Sequence, residues 1–83
     1  MTEPVIIAAW PKNARETLMV RLDSFKGNPV LDLRVWYAGG DGSMKPGRGG
    51  LTIALRHLPR IAEAMAQALA TATASGLLDE DGP

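Results

Sequence analysis

Apolar and polar residues alternate along two stretches of the chain, residues 17–22 and 30–38. A two-residue period is typical of strands that bury one face, so each stretch is predicted to be a β-strand. The prediction is stronger for 30–38, because β-branched and aromatic residues are frequent there. An apolar run at 5–10, ended by Pro11, and a segment at 51–53 complete four predicted strands, although a run as short as 5–10 is also compatible with a helix.

The alternation predicts that the two longer strands have one apolar face and one polar face. The apolar face comprises Leu18, Val20, Leu22, Leu31, Leu33 and Val35. The polar face comprises Thr17, Met19, Arg21, Asp32, Arg34 and Trp36. A sheet of this kind needs a cover on its apolar face only, and a single helix can provide it.

The hydrophobic period changes after the fourth predicted strand. Apolar residues then recur at steps of three and four, which is typical of one helical face: Leu55, Leu58, Ile61, Met65, Leu69 and Ala72. Pro59 is tolerated only in a first turn, so the helix is predicted to begin near Leu55. Gly76 predicts that it ends at Ser75. The predicted class is therefore α+β, with four strands followed by one helix.

Segments rich in glycine, asparagine and proline connect the predicted strands. Turns are predicted at residues 12–14, 25–29 and 39–42. Residues 45–50, Lys-Pro-Gly-Arg-Gly-Gly, are predicted to be a second flexible segment, a mobile loop that could close over a ligand.

The length of 83 residues allows a single domain, residues 1–83, with its core at about residues 5–75 and a frayed acidic tail at 77–83. A chain this short buries only about 60% of its unfolded surface, so its core is thin. The absence of cysteine excludes disulfides and thiolate metal sites, which leaves oligomerisation as the way to enlarge the core. No apolar run is long enough for a membrane helix, and the start lacks a secretory signal, so a cytoplasmic protein is predicted.

The formal net charge of zero conceals a segregation of charges along the chain. All nine cations lie within residues 12–60 together with four acids, which leaves this span with a net charge of +5. The asymmetry favours binding to a polyanion, although a solvated surface of mixed charges is the commoner explanation of such a span.

Little in the sequence supports enzymatic chemistry. His57 is the only histidine and no cysteine accompanies it, so neither a catalytic triad nor a zinc site is predicted. The glycine-rich segments lack the Lys-Ser/Thr ending of a phosphate-binding P-loop. A non-enzymatic protein without cofactor or metal is therefore predicted.

Aromatic and cationic residues are interleaved between residues 25 and 48. The rings are Phe25, Trp36 and Tyr37, and the cations are Lys26, Arg34, Lys45 and Arg48. This combination is typical of single-strand binding, since cations follow the phosphates and bases stack on aromatic faces. Any one ring could instead belong to the core or to a subunit interface, but the whole set favours a single-strand groove.

The stretch FKGNPVLDLRVWYAGGDGSMKPGRGGLTI, residues 25–53, resembles the single-stranded-DNA-binding domain of the transcriptional coactivator called positive cofactor four and its bacterial relatives. F-K-G, D-L-R and K-P-G-R-G-G-L-T occur in the order of that family, with nearly its spacing. The resemblance covers about residues 17–70. It implies a curved four-stranded antiparallel sheet with a C-terminal helix, intertwined as a homodimer that holds single-stranded DNA.

The resemblance also implies roles for individual residues. Base-stacking places fall to Phe25 and Tyr37, and phosphate-contacting places fall to Lys26, Arg34, Lys45 and Arg48. The secondary candidates for nucleic-acid contact are Lys12, Arg15, Arg21 and Trp36. Strict alternation puts Trp36 rather than Tyr37 on the face of Arg34, so a bulge or bend near the end of that strand is expected if Tyr37 is to share the face.

The predicted function is non-enzymatic binding of single-stranded DNA, with little sequence preference, by a homodimer that acts in transcription, replication or repair. Two departures from the family pattern, Asn28 and Gly49, replace frequent cations and predict weaker, less salt-sensitive binding. They slightly favour the alternative of a protein-interaction module, and possible partners include transcription or replication proteins. Single-stranded RNA is a further alternative, because no residue obviously reads a 2′-hydroxyl. A bacterial protein of this kind is expected at the nucleoid, and no membrane partner is expected.

Overall fold

Four antiparallel strands and one helix make up the part of the chain that the computed structural model describes, residues 3–78. The elements are β1 (Val5–Pro11), β2 (Glu16–Phe25), β3 (Asn28–Ala38), β4 (Met44–Ala54), a 3₁₀ turn (Leu55–His57) and α1 (Leu58–Ala74). Each strand pairs antiparallel with the next, in the spatial order β1-β2-β3-β4. The predicted α+β fold, a four-stranded antiparallel sheet followed by a helix, is confirmed.

Short turns connect the central strands, as the sequence predicts. Lys26 and Gly27 both have positive φ, 52° and 83°, so they form the two-residue type I′ turn that suits the twist of a hairpin. The β3–β4 connection is closed by a hydrogen bond from the Gly39 amide to the Ser43 carbonyl at 2.7 Å. The β1–β2 connection is held by Asn13, whose Oδ1 accepts hydrogen bonds from the Arg15 and Glu16 amides at 2.9 Å.

The prediction of a flexible segment at residues 45–50 is wrong, because these residues belong to β4. Two glycines here allow close packing of strands. A Cβ on Gly50 would lie 2.8 Å from the Leu33 carbonyl oxygen, and one on Gly47 would lie 2.7 Å from that of Val35. Glycine is therefore required by the approach of β4 to β3, which a sequence containing Gly and Pro does not distinguish from a loop.

A bulge does interrupt the pairing of β3 with β4, but its extra residues lie in β4 and not in β3. Arg34 pairs with Gly50 and Trp36 pairs with Pro46, so β4 has two extra residues over this interval. The register between β2 and β3 is unbroken. Trp36 therefore stays in the row of Asp32 and Arg34, whereas Tyr37 stays in the row of Leu33 and Val35.

The helix begins and ends close to the predicted positions. Its first turn is 3₁₀ and Pro59 lies within the first turn of α1, where its missing amide hydrogen needs no partner. Gly76 ends it with φ 69°, and the Leu77 amide donates to the Ala72 carbonyl at 2.9 Å. The acids of the predicted tail, residues 79–81, lie outside the described residues.

The core of the described chain is thin. Among residues 3–78, Val30 is the only buried apolar residue, at 8% exposure, and Asp32 is the only buried polar one, at 4%. In the single chain α1 leaves the apolar face largely open, and none of its residues is buried. An open cavity of about 540 Å³ with wholly apolar walls separates the sheet from the start of the helix. The walls include Leu18, Val20, Leu31, Leu33, Ile61 and Met65.

Candidate nucleic-acid interface

A network of hydrogen bonds occupies the centre of the polar face, around the carboxylate of Asp32. Its Oδ1 accepts from Arg34 Nε at 3.2 Å, from Arg34 Nη2 at 3.1 Å and from the Thr52 hydroxyl at 2.9 Å. Its Oδ2 accepts from Arg21 Nη2 at 3.3 Å. Asp32 and Thr52 are paired across β3 and β4, and Asp32 and Arg21 across β3 and β2, so the sheet register itself assembles the network.

The surroundings of Asp32 keep its carboxyl ionised. Burial by itself would raise the pKa of Asp32, because it disfavours the charged form. Hydrogen bonds from Thr52, Arg34 and Arg21, together with the charge of Arg34, outweigh burial and lower the pKa below its ordinary value. The Asp32 carboxylate in this network is therefore negatively charged and is paired with two arginines, Arg21 and Arg34.

The guanidinium of Arg34 uses most of its donors inside the protein. Besides its bonds to Asp32, Nη2 donates to Thr52 Oγ1 at 3.1 Å and Nη1 donates to the Gly47 carbonyl at 3.0 Å. Of the five N–H hydrogens that a guanidinium carries, one on Nη1 has no partner within residues 3–78. Arg34 is thus fixed by the fold and keeps a single free donor.

Arg21 lies over Trp36 on the same face. The guanidinium carbon is 4.9 Å from the ring centroid, a cation–π contact, and Nη2 also faces Asp23 at 3.5 Å. Trp36 is half-buried, and its Nε1 has no hydrogen-bond partner within residues 3–78. One face of this ring is therefore occupied by Arg21.

An open cavity of about 470 Å³ lies beside the network. Phe25, at the end of β2, stands at its wall with 59% of its surface exposed. Arg48, in the bulged part of β4, also lines it, and so do Arg21 and Arg34. The remaining lining residues are Asp23, Ser24, Val30, Asp32, Pro46, Gly47 and Thr52. A ring and three cations that the sequence singles out are thus brought together.

The other candidates lie away from this lining. Lys26 is in the adjacent turn, with Nζ 5.4 Å from the centroid of the Phe25 ring. Tyr37 and Lys45 are paired with each other across β3 and β4, and Tyr37 is exposed. Lys12 and Arg15 are exposed in the β1–β2 connection, where Lys12 Nζ lies 3.9 Å from a Glu16 carboxylate oxygen.

Sequence reasoning placed Asp32 on the polar face but did not include it, or Thr52, among the site residues. The available signal was the polar alternation of D-L-R in β3 with the threonine of L-T-I in β4. Only the β3–β4 register places that threonine opposite Asp32. Asp23 and Ser24 were missed for the same reason, since nothing local marks them as cavity walls.

The sequence profile of the family described as Transcriptional Coactivator p15 (PC4) matches residues 12–64, more than half of the chain. The chain belongs to the PC4 family. This is a non-enzymatic family of DNA-binding and coactivator proteins, and its profile spans β2, β3, β4 and the first turns of α1.

Solved structures of PC4 homologues share this fold. A homologue from Burkholderia pseudomallei has a TM-score of 0.69 and 23% identity in a tetragonal crystal form, over 80% of this chain and 97% of that one. Its orthorhombic form has a TM-score of 0.68 and 22% identity, over 82% and 92% of the two chains. A bacteriophage T5 homologue of the eukaryotic coactivator PC4, implicated in recombination-dependent DNA replication, has a TM-score of 0.68 and 19% identity, over 86% and 80%. No curated protein matches the chain in sequence.

Two further observations concern residues 3–78 only. No group of three or more His, Cys, Asp or Glu side chains is arranged there to hold a metal ion. No helix in this part of the chain has the length and hydropathy needed to cross a membrane.

Proposed function

We propose that the protein is a non-enzymatic, homodimeric single-stranded-DNA-binding protein of the PC4 family. The observation that carries the proposal is the cavity on the polar face, where the exposed ring of Phe25 stands beside Arg34 and Arg48. A flat ring can stack on a base while neighbouring cations contact its phosphate, and this arrangement requires no particular base.

Each side chain has a distinct part in this proposal. Phe25 offers its exposed face to a base, and Lys26 in the turn above it neutralises a neighbouring phosphate. Arg48 and the free Nη1 hydrogen of Arg34 supply donors at the cavity wall. Arg21 stacks on Trp36 and shares the Asp32 carboxylate with Arg34, so this pair supports Arg34 only through Asp32.

A second contact region is proposed at the far end of β3. Tyr37 is exposed there and lies beside Lys45, which repeats the pairing of a ring with a cation. Lys12 and Arg15 follow at the same end of the sheet, next to the start of β2. A strand that passes from Phe25 to Tyr37 would span the length of β3, about 35–40 Å for its eleven residues at roughly 3.3 Å each. It would also have to pass around the end of the sheet, because Tyr37 lies in the row of Leu33 and Val35.

We infer that a second copy of the chain covers the apolar face. Only Val30 is a buried apolar residue among residues 3–78, which is too little core for a stable monomer. The cavity between sheet and helix has wholly apolar walls. Farther along α1, the apolar side chains of Met65 and Leu69 are also exposed. In a symmetric dimer, a single interface would bury the apolar surfaces of both copies.

The process served by the binding is proposed to be transcription, replication or repair, in the cytoplasm or at the nucleoid of a bacterial cell. The relationship to a coactivator family supports the first, and a phage homologue implicated in recombination-dependent replication supports the others. A protein-interaction module is the second candidate, favoured by Asn28 and Gly49 standing where cations are frequent.

Fluorescence anisotropy of labelled oligonucleotides tests the proposal. Single-stranded DNA, duplex DNA and single-stranded RNA would each be titrated with the protein at two salt concentrations. We expect salt-dependent binding that favours single-stranded DNA. Phe25→Ala should weaken it by about 1–3 kcal/mol, since one stacking face is removed.

Ile6→Ala is the matched control for the Phe25 variant. Ile6 is also 59% exposed, but it lies outside the cavity lining. Unchanged affinity in Phe25→Ala, or an equal loss in both variants, would contradict the stacking role. Binding of duplex DNA as tight as that of single strands would contradict the proposed function, and tighter binding of RNA would reassign the ligand.

A further inference from the structure

Asp32 is a buried carboxylate at the centre of a face that we propose to bind a polyanion. Its exposure is 4%, and both of its oxygens accept hydrogen bonds from the side chains around it. By charge alone it should oppose DNA, because it cancels one of the nearby arginines. A carboxylate retained in this place needs a different explanation.

We propose that Asp32, together with Thr52, is a positioning residue that sets Arg34, and through Arg34 the bulged segment of β4 that carries Arg48, for contact with single-stranded DNA. The inference rests on the proposed function. It assigns to Asp32 no contact with the nucleic acid itself.

The first part of the argument is the rigidity of Arg34. Two of its N–H groups meet one Asp32 oxygen and a third meets Thr52, so its guanidinium plane has one orientation. An unrestrained arginine loses rotamer freedom when it binds a phosphate, and that loss opposes binding. In this network the ordering is already achieved by folding, as in other preorganised sites.

The second part is the bond from Arg34 Nη1 to the Gly47 carbonyl at 3.0 Å. Gly47 lies in the bulge of β4. The bulge is flanked by two strand pairs, Arg34 with Gly50 and Trp36 with Pro46. A bulge leaves backbone groups outside the ladder, and these need other partners. Arg34 supplies one, and Arg48 is the next residue of the chain.

Two substitutions separate positioning from simple charge. Asp32→Asn and Asp23→Asn each remove one negative charge from the wall of the same cavity. Asp23 faces Arg21 at 3.5 Å and accepts a hydrogen bond from the Ser24 amide at 2.7 Å, but it takes no part in holding Arg34 or Gly47. If charge alone mattered, both variants should bind single-stranded DNA more tightly.

We expect the two variants to change affinity in opposite directions. Asp23→Asn should tighten binding by about twofold, since a partly exposed charge is removed. Asp32→Asn should weaken it by about tenfold, because it removes the charge-assisted hydrogen bonds that orient Arg34. The slope of log K against log salt should also fall in magnitude, by about 0.7 for each phosphate that the variant no longer neutralises.

A second pair of variants keeps the charge constant and guards against misfolding of the first. Thr52→Val removes the hydroxyl that donates to Asp32 and accepts from Arg34, whereas Thr52→Ser keeps it. Thr52 is exposed, so neither change disturbs the core. We expect about a threefold to tenfold decrease in affinity in Thr52→Val and near-wild-type affinity in Thr52→Ser.

NMR of the DNA-free protein reports on positioning independently of binding. Relaxation of the Arg34 Nε–H signal should show an ordered side chain in the wild type and in Thr52→Ser. It should show a mobile side chain in Asp32→Asn and Thr52→Val. A wild type that binds, with Asp32→Asn tighter or with Thr52→Val unchanged, would overturn the positioning role and leave the proposed function in place. A wild type that binds no single-stranded DNA would overturn the proposed function and the assignment of Asp32 to it together.

Discussion

Single side chains on the polar face stabilise the fold as well as forming the proposed binding surface. Arg34 donates to Asp32, Thr52 and the Gly47 carbonyl, and its side chain is only partly exposed. Phe25, by contrast, is mostly exposed. The cations that sequence reasoning treats as equivalent also differ, since Arg34 is held by hydrogen bonds, whereas the Arg48 side chain makes none within residues 3–78.

The ionisation of Asp32 should be visible in the pH dependence of stability. Its pKa is lower in the folded chain than in the unfolded one, where a value near 3.9 is ordinary. Its contribution is then complete above about pH 4 and is lost as the pH falls through the folded-state pKa, because the unfolded chain takes up the proton first. Asp32→Asn has no such proton to gain.

Urea unfolding of the wild type and of Asp32→Asn, at one protein concentration, checks this expectation. Asp32→Asn should lower the free energy of unfolding by roughly 2 kcal/mol near pH 7, since the variant lacks a carboxylate shared by two arginines. The difference should shrink steadily below about pH 4. A difference that stays constant down to about pH 2 would contradict the ionised network.

Among the secondary-structure elements, the β2–β3 hairpin and the bulged strand β4 shape the proposed site. The hairpin turn places Lys26 at φ 52°, where residues other than Gly and Asn are strained. The same turn carries Lys26 next to the ring of Phe25. Because asparagine or glycine would suit this turn better, we propose that Lys26 is present for its charge.

Lys26→Asn should therefore separate stability from binding. Asparagine is favoured at this turn position, so the free energy of unfolding should rise by about 0.5–1 kcal/mol, as measured by urea titration. Affinity for single-stranded DNA should fall, because a cation is removed from the cavity rim. Lys45→Asn removes a cation without relieving a positive φ and should bring no such gain in stability.

Equal stability of the two lysine variants would contradict the strain argument. Unchanged affinity in Lys26→Asn would remove Lys26 from the proposed site.

The glycines of β4 should differ in their tolerance of a side chain. A Cβ on Gly50 would meet the Leu33 carbonyl oxygen at 2.8 Å and the Arg34 Cα at 3.0 Å, whereas one on Gly49 would meet nothing within 4 Å. Gly50→Ala should therefore lower the free energy of unfolding by about 1–3 kcal/mol. Gly49→Ala should leave it within about 0.5 kcal/mol, and thermal unfolding would show the contrast. Similar values for the two variants would mean that β4 can move away from β3 without cost.

At the scale of the whole molecule, residues 3–78 leave a large apolar surface uncovered. Its principal extents are 40 × 34 × 18 Å, and the apolar face of the sheet and the apolar side of α1 lie open toward each other and toward solvent. The hydrophobic contribution of these surfaces is realised only if something covers them. A second copy is the occupant that we infer above, and it would also present two DNA-binding faces in one particle.

Met65→Lys and Gln67→Lys test the dimer with the same introduced residue. Met65 is 59% exposed in the single chain and lines the apolar cavity, so a lysine there is harmless to a monomer but not to an interface. Gln67 lies outside that cavity. We expect the dissociation constant of the dimer to rise by about tenfold or more in Met65→Lys and to stay unchanged in Gln67→Lys.

Sedimentation equilibrium over a range of concentrations measures these constants. A monomeric wild type at all concentrations, or equal constants in the two variants, would contradict the proposed dimer through this face.

The order of elements and the two faces of the sheet followed from the local pattern alone. A two-residue period needs no partner to be recognised, so Leu18, Leu31 and Arg34 were assigned to the correct faces from their spacing. The helix, its proline-tolerant first turn and its glycine end were equally local. The family resemblance rested on short motifs, which are contiguous in the chain and so are also visible without coordinates.

Tertiary structure decided what depended on pairing between distant segments. Residues 45–50 look like a loop until β3 lies beside them, because a glycine selected for close approach resembles a glycine selected for flexibility. The β4 bulge, the meeting of Asp32 with Thr52 and the row of Tyr37 all depend on register, which no single segment encodes. The open apolar face depends likewise on where α1 lies, and a helical period specifies that a face is apolar but not what covers it.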